Sequence, residues 1–255
     1  MNNDFVFNPS RTANEIAVIQ MENIDPRSGL VKKWSFSSLK KFETCPHSIF
    51  LKYIKQLKEE SGPAAERGVK IHKMAEDYVR GDILELPPEL RKFETGFKKL
   101  HEDYHLGTIH CEYEMAFTVD WVQCTWDDNQ AWARFILDLF IQDDPTSARL
   151  KDHKTGRREG NEIKHAEQSL MYACALFQYF PLLQFIESEF WYLDEGTKMT
   201  KTYTREYCAM FMPKIDARAK KMTTETTFIA RPSKSNCRWC YYAKTKQCDW
   251  AEPTL

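Results

Sequence analysis

The sequence predicts an α/β fold with a mixed central sheet flanked by helices, and three stretches carry that prediction. Ile109 to Val119 alternates with period two, placing Ile109, Cys111, Tyr113, Met115, Phe117 and Val119 on one face and Glu112 and Glu114 on the other. Phe135 to Ile141 is an apolar strand-like run with one acid, Asp138, in its middle; a carboxylate so placed needs a partner. Leu150 to Gly156 presents Asp152 and Lys154 two residues apart, so a strand puts both on one face and His153 on the other.

Taken in order, residues 1–33 are polar and lack periodicity, and they form an N-terminal extension; residues 34–255 form a single domain. From Trp34, apolar residues recur at helical spacing on either side of Cys45 and Pro46: Leu39 and Phe42, then Ile49, Phe50, Tyr53 and Ile54. Ser37 suits the cap of the first helix and Pro46 the start of the second, leaving Cys45 at the bend. His72 and Glu76 stand four apart on one helix face and can address one site, although a surface His–Glu pair is the commoner outcome. Leu90, Phe93, Phe97, Leu100 and Tyr104 mark a scaffolding helix. Asp127 to Gln130 reads as a turn, so the strands holding Asp138 and Asp152 follow the first strand as a meander. Arg157 and Arg158 open a basic loop, and a helix from about Glu162 to Tyr179 carries Gln168 and Tyr172 four apart, suited to orienting a bound group or a water, or to packing on the sheet. Leu183 to Leu193 is a further strand, and Tyr203 to Met222 an amphipathic helix.

A length of 255 residues with 42% hydrophobic composition builds a sizeable core. The N-terminus has no basic-then-apolar leader, and the longest apolar run, near Cys174 to Ile186, is interrupted by Gln178, Pro181 and Gln184, so neither export nor a membrane span is expected. Eight cysteines in such a chain point to a reducing, cytoplasmic compartment, with thiols serving as metal ligands or core residues. The net charge of −1 hides an asymmetry: Lys214 to Lys246 contains nine Lys or Arg against two acids, which attracts a polyanion. The absence of a glycine-rich phosphate loop and of internal repeats disfavours nucleotide hydrolysis and solenoid folds.

Asp152 with Lys154 suits metal-dependent phosphodiester hydrolysis, the carboxylate holding a divalent cation while the ammonium steers a water or neutralises a phosphate oxygen. Alone, Asp-x-Lys is more often an ordinary surface pair. Near the C-terminus, Cys237 and Cys240 can converge on one metal centre and Cys248 adds a third sulfur. No fourth ligand lies nearby, which leaves the remote Cys45, Cys111, Cys124, Cys174 and Cys208 as candidates.

In this order the motifs resemble those of the PD-(D/E)xK nuclease superfamily, and within it the iron-sulfur RecB-like branch that includes the AddB nuclease domain, CRISPR-associated RecB-like exonucleases and phage relatives. The resemblance covers nearly everything from Trp34 to Trp250. It rests on Ser35 or Ser37, Leu39, Cys45 and Pro46; on Gly68 and His72 with Glu76 a turn later; on Asp138; on Asp152, Lys154, Thr155 and Gly156; on Gln168 and Tyr172; and on Cys237, Cys240 and Cys248. The Ser-to-Leu spacing is loose, the last cysteine gap is longer than usual, and His153 replaces a bulky apolar or aromatic residue.

The resemblance implies a restriction-endonuclease-like core and a Mg²⁺- or Mn²⁺-dependent DNA exonuclease of recombination, repair or phage DNA processing, working with a helicase or recombination partner. It implies Asp138, Asp152, His72 and the His153 carbonyl as metal ligands, with Glu76 secondary. Lys154 would activate the water, Gln168 and Tyr172 would position DNA, and Arg157 and Arg158 would bind it. It also implies a [4Fe-4S] cluster on Cys45, Cys237, Cys240 and Cys248, joining the N- and C-terminal segments. The alternative class is a catalytically inactive or zinc-stapled nucleic-acid-binding module.

Overall fold

A computed structural model describes residues 30–252, which fall into two compact units: residues 60–218, and residues 30–59 together with 219–252. Most of the expected N-terminal extension lies outside the described residues, but Val31 and Lys33 at its end are buried.

The larger unit begins with α3 (Pro63–Arg80), the third α-helix among the described residues, which Pro63 opens and Gly81 closes at φ 86°, a left-handed cap that costs glycine little. A 3₁₀ turn (Pro88–Phe93) leads into α4 (Glu94–Tyr104), so the scaffolding helix is interrupted at Phe93, whose backbone (φ −120°, ψ 27°) leaves the helical region. The strands are β1 (Ile109–Phe117), β2 (Gln123–Cys124), β3 (Ala133–Gln142), β4 (Ser147–Lys154), β5 (Phe185–Tyr192) and β6 (Thr197–Thr204). Helix α5 (Glu162–Tyr179) crosses from β4 to β5, and α6 (Arg205–Thr223) follows β6. They form one six-stranded sheet in the order β2-β1-β3-β4-β5-β6. Only β4 and β5 run parallel, because only they are joined by a helical crossover; the other neighbours are antiparallel. The mixed α/β sheet therefore stands as expected, with two strands that the sequence pattern did not reveal, the two-residue β2 and the eight-residue β6.

One sheet face packs under α3 and α4, where Ile71, Tyr78, Phe97 and Leu100 meet Ile109, Leu139, Ile141 and Trp191. Each such ring or branched chain, fully removed from water, contributes roughly 1.5–3 kcal/mol. Trp191 lies between Phe93 (4.8 Å, stacked) and Phe97 (5.3 Å, edge-on), and a Cβ at Gly96 would come within 2.4 Å of its ring, so that position accepts only glycine without a shift. On the other face, α5 covers Phe140 and Tyr113 through Tyr179 and Phe180.

The even alternation expected along β1 does not hold. Cys111 packs with the α3–α4 layer, whereas Tyr113 stacks on Phe140, Tyr179 and Phe180 beneath α5. The cause is Glu112, held at φ 50°, which reverses the pleat for every residue after it. The end of the run also differs: Val119 lies beyond β1 and is 44% exposed.

In the smaller unit, α1 (Phe36–Thr44) is capped by Ser35 rather than Ser37: Ser35 and Ser38 exchange backbone and side-chain hydrogen bonds as a capping box. Cys45 sits in extended conformation between α1 and α2 (Pro46–Ile49), the predicted bend, and a π-helical turn (Phe50–Ile54) follows. The C-terminal segment adds α7 (Lys234–Arg238) and α8 (Tyr241–Lys244). Arg231 donates to the Glu43 carbonyl (2.7 Å), Asn236 to the Thr44 carbonyl (3.3 Å) and Tyr242 to the Leu57 carbonyl (3.2 Å), tying the two chain segments together. Among the described residues no helix is long and apolar enough to cross a membrane.

Beneath β4 lies a buried ionic group: Lys151 pairs with Glu189, which also accepts from Lys198 (2.6 Å) and the Trp191 indole N–H (2.9 Å). Burial raises the Glu189 carboxyl, but these donors outweigh it and hold it at about 2. A depressed carboxylate stabilises the fold above about pH 4.3, its unfolded value, and that contribution is lost as pH falls through the folded one. Glu189→Gln should cost roughly 3 kcal/mol at neutral pH, because Lys151 is left buried without its counter-charge. In thermal unfolding, the gap between wild type and variant should narrow below about pH 4 and close near pH 2.

Candidate active site

Strands β3 and β4 pair from Gln142↔Ala148 to Leu139↔Lys151 and then part. Asp138 is the next residue, and its carboxylate occupies the place of the missing backbone partner: its Oδ2 accepts the His153 N–H at 2.6 Å. On the other side of β3, the Glu112–Asp138 position is also absent from an otherwise continuous β1–β3 register. Both strands shift face there, since on β3 Phe135 meets Tyr172 whereas Phe140 meets Phe180 under the same helix. The apolar run around Asp138 thus forms a strand as predicted, and its isolated carboxylate is answered by backbone and by α3.

From α3, His72 brings Nδ1 to 3.3 Å from Asp138 Oδ2. The helix can come close because residue 68 is glycine: a Cβ there would lie 3.3 Å from Thr155 Oγ1, just past the end of β4. Arg67, one residue earlier, fastens the same corner by donating to Asp194 through both guanidinium nitrogens (2.9 and 2.7 Å) and to the Thr155 carbonyl (3.3 Å). Such an exposed pair contributes at most about 1 kcal/mol, so its effect is to set geometry.

The period-two expectation for β4 holds. His153 points into the α4 layer, its ring 5.1 Å from Phe97 and 5.9 Å from Trp191, and burial lowers its pKa to about 4, so the ring is a neutral core group. Asp152 and Lys154 share the opposite face and pair with each other. Lys154 Nζ donates to Gln168 Oε1 (3.0 Å), and Gln168 Nε2 donates to Asp152 Oδ1 (3.2 Å) and Tyr172 Oη (3.0 Å). Helix α5 therefore brings Gln168 and Tyr172 against β4, where hydrogen bonds join them to Asp152 and Lys154.

Among the described residues, one group of His, Cys, Asp or Glu side chains brings three ligand atoms within 4.8 Å of one another: His72, Glu112 and Asp138. Nitrogen and carboxylate oxygens of this kind suit a divalent cation. Glu76, the secondary candidate from the sequence, is instead engaged by Arg80 (2.8 Å) and Lys73 (3.1 Å). Glu112 was not singled out in the sequence. The available signal was an acid on a strand beside that of Asp138; what no pattern shows is the left-handed backbone that aims it there.

The charges are strongly coupled. Burial lowers the His72 pKa, but Asp138 overcomes this and raises it to about 9, and burial with the Asp138 charge raises the Glu112 carboxyl to about 8. Burial would raise Asp138, yet His72 and its hydrogen bond hold it well below the carboxylate range, while burial keeps Asp152 above that range against the pull of Lys154. A cation entering here displaces protons from His72 and Glu112.

Arg157 is exposed and Arg158 half-buried in the loop after β4, where the Arg158 N–H donates to Glu195 (3.0 Å). All eight cysteines are free thiols. In the smaller unit, Cys45, Cys237, Cys240 and Cys248 line one cavity together with His47, and the Arg231 N–H points at Cys45 Sγ (3.4 Å). Cys111, Cys174 and Cys208 are buried elsewhere.

A family model of the PD-(D/E)XK nuclease superfamily matches residues 33–245. None of the curated proteins matches the chain. Among solved structures, a protein of Eubacterium rectale provisionally named an exonuclease is similar at 12% identity and a TM-score of 0.50, with 96% of each chain covered. The crystal structure of SSO0001 is similar at 12% identity and a TM-score of 0.47, covering 96% of this chain and 98% of the other. At such identity the first of these likenesses speaks to the fold alone.

Mn²⁺ should raise the thermal midpoint of the purified protein by binding the folded state. Asp138→Asn should abolish that shift, and Glu112→Gln should weaken Mn²⁺ binding in calorimetry by about tenfold or more. An unchanged affinity in Glu112→Gln would remove Glu112 from the ligand group.

Proposed function

Since the chain belongs to the PD-(D/E)XK nuclease superfamily, we propose that it is a Mg²⁺- or Mn²⁺-dependent deoxyribonuclease acting as an exonuclease. The observation that supports this most directly is the pairing, at the parting of β3 and β4, of the His72, Glu112 and Asp138 group with the Asp152, Lys154, Gln168 and Tyr172 chain of hydrogen bonds. The donor set fits a hard divalent cation, with His72, Glu112 and Asp138 as ligands and Asp152 and the His153 carbonyl completing the set from β4. When bound, the cation polarises a phosphoryl oxygen and lowers the pKa of water.

The side chains divide the remaining work. An ammonium has three donors, and Lys154 directs them at Asp152 and Gln168, with one left for a water or a phosphate oxygen. Gln168 fixes that direction, since its amide oxygen receives Lys154 while its NH₂ is held by Asp152 and Tyr172. Burial raises the Tyr172 pKa further above neutrality, so it remains a phenol able to donate toward DNA. Arg157 and Arg158 contact the backbone phosphates, where neutral pairing with any sequence suits an enzyme that tracks along DNA. The provisional name of the Eubacterium rectale neighbour agrees with the exonuclease reading. A reducing cytoplasm is the proposed compartment, since it keeps thiols available as metal ligands, and a helicase or recombination factor is the proposed kind of partner.

For the four cysteines of the cavity we propose a [4Fe-4S] cluster, the iron-sulfur RecB-like variant of the superfamily. The four thiols line a single cavity, which offers four sulfur ligands to one centre. Cys45 and Cys237 are nearly two hundred residues apart in sequence, so the cluster would close a very long loop.

Asp152→Ala and Lys154→Ala should each abolish Mn²⁺-dependent degradation of end-labelled DNA while the folded state is retained; full cleavage by both variants would overturn the assignment. Anaerobically purified protein should be brown and contain iron, Cys45→Ser should be pale and poorly soluble, and Cys174→Ser should stay brown. Stoichiometric zinc with negligible iron would favour the zinc-stapled alternative.

A further inference from the structure

The turn between α7 and α8 carries a feature that neither the proposed cluster nor the nuclease site uses. Trp239, between Cys237 and Cys240, leaves 74% of its surface in solvent. Single exposed apolar residues are ordinary, but this indole is flanked by cations: Arg238 Cζ lies 5.1 Å from its ring and Lys244 Nζ 5.2 Å. Its backbone is held in place, since Cys237 N–H donates to the Ser233 carbonyl (2.8 Å) and Cys240 N–H to the Cys237 carbonyl (3.1 Å). From Thr226 to Cys248 the chain contains Arg231, Lys234, Arg238, Lys244 and Lys246 and no Asp or Glu.

We propose that Trp239 is a stacking platform for an unpaired base of single-stranded DNA, with Arg238 and Lys244 placed to meet the phosphates on either side of that base. The inference deepens the nuclease reading, on which it rests for the choice of DNA, by naming the form in which the substrate is held. The occupant follows from two complementarities. A ring with three-quarters of its surface in solvent accepts the face of any base once the flexible Arg238 or Lys244 side chain over it swings to a phosphate, and an acid-free run of cations accepts a polyanion. A duplex satisfies only the second, because its base faces are already stacked. A protein partner with an acidic surface would likewise use the cations but not the ring.

The test uses the full chain in chelator, so that no cleavage occurs, and reads fluorescence anisotropy of a labelled oligothymidine, of an abasic oligomer of equal length and of a blunt duplex. Wild type should bind oligothymidine roughly tenfold more tightly than the abasic oligomer. Trp239→Ala should fall to the abasic level without changing duplex affinity, and Trp239→Phe should stay within about threefold of wild type. Equal binding of thymidine and abasic oligomers by wild type would overturn the platform, as would equal losses on single strand and duplex in Trp239→Ala, or no loss at all. If Trp239→Ala fails to fold, the abasic comparison and Trp239→Phe still decide. Mn²⁺-dependent degradation by wild type is scored separately. Absent degradation with base-dependent binding sinks the nuclease reading alone, and degradation without base-dependent binding sinks the platform alone.

Discussion

The acceptance of the His153 N–H by the Asp138 carboxylate is the constraint from which the site's geometry follows. A strand interior normally satisfies that N–H with a neighbouring carbonyl, and a buried carboxylate normally has no place there. Parting β3 from β4 solves both problems at once: each group becomes the other's partner. The gap so made admits His72 from α3 on one side and leaves Glu112 of β1 facing Asp138 on the other. Because His72 holds Asp138 charged, the same carboxylate that repairs the sheet also collects the donors that can hold a cation.

Strand β4 works on both faces. Toward α4 it buries Lys151 and His153, one neutralised by Glu189 and the other kept uncharged by its apolar surroundings. Toward α5 it presents Asp152 and Lys154. The first face fixes the strand's position by packing and ion pairing, and the second inherits that position. A parallel β4–β5 pair requires a helical crossover, so the helix carrying Gln168 and Tyr172 lies over β4 as a consequence of topology. Local order in the site therefore derives from long-range connections.

In the smaller unit the joining of distant segments is carried by hydrogen bonds to open helix ends. Arg231 and Asn236 donate to the carbonyls of Glu43 and Thr44 in the last turn of α1. These contacts surround Cys45, so satisfying the end of a short helix also brings its thiol to the cavity lined by Cys237, Cys240 and Cys248.

The sequence by itself determined what nearest neighbours along the chain control. Period two on β4 sets Asp152 and Lys154 on one face and His153 on the other, helical spacing unites Gln168 with Tyr172, and Cys45–Pro46 makes the bend between two helices. The chain order of its motifs also marked the superfamily, since covalent order survives where identity does not. Only the tertiary structure decided the rest. That β6 forms from a polar stretch and that Glu112 turns to Asp138 depend on partners remote in sequence, while the choice of Ser35 over Ser37 as the cap of α1 and the turn of Glu76 to Arg80 are settled by which of several local partners the packed helix leaves within reach. The face of Glu112 is the clearest instance. Alternation assigns side chains on the premise of an unbroken pleat, and a single residue at φ 50° breaks that premise. Its place opposite Asp138 arises from the pairing of β1 with β3, an interaction between strands that no local period encodes.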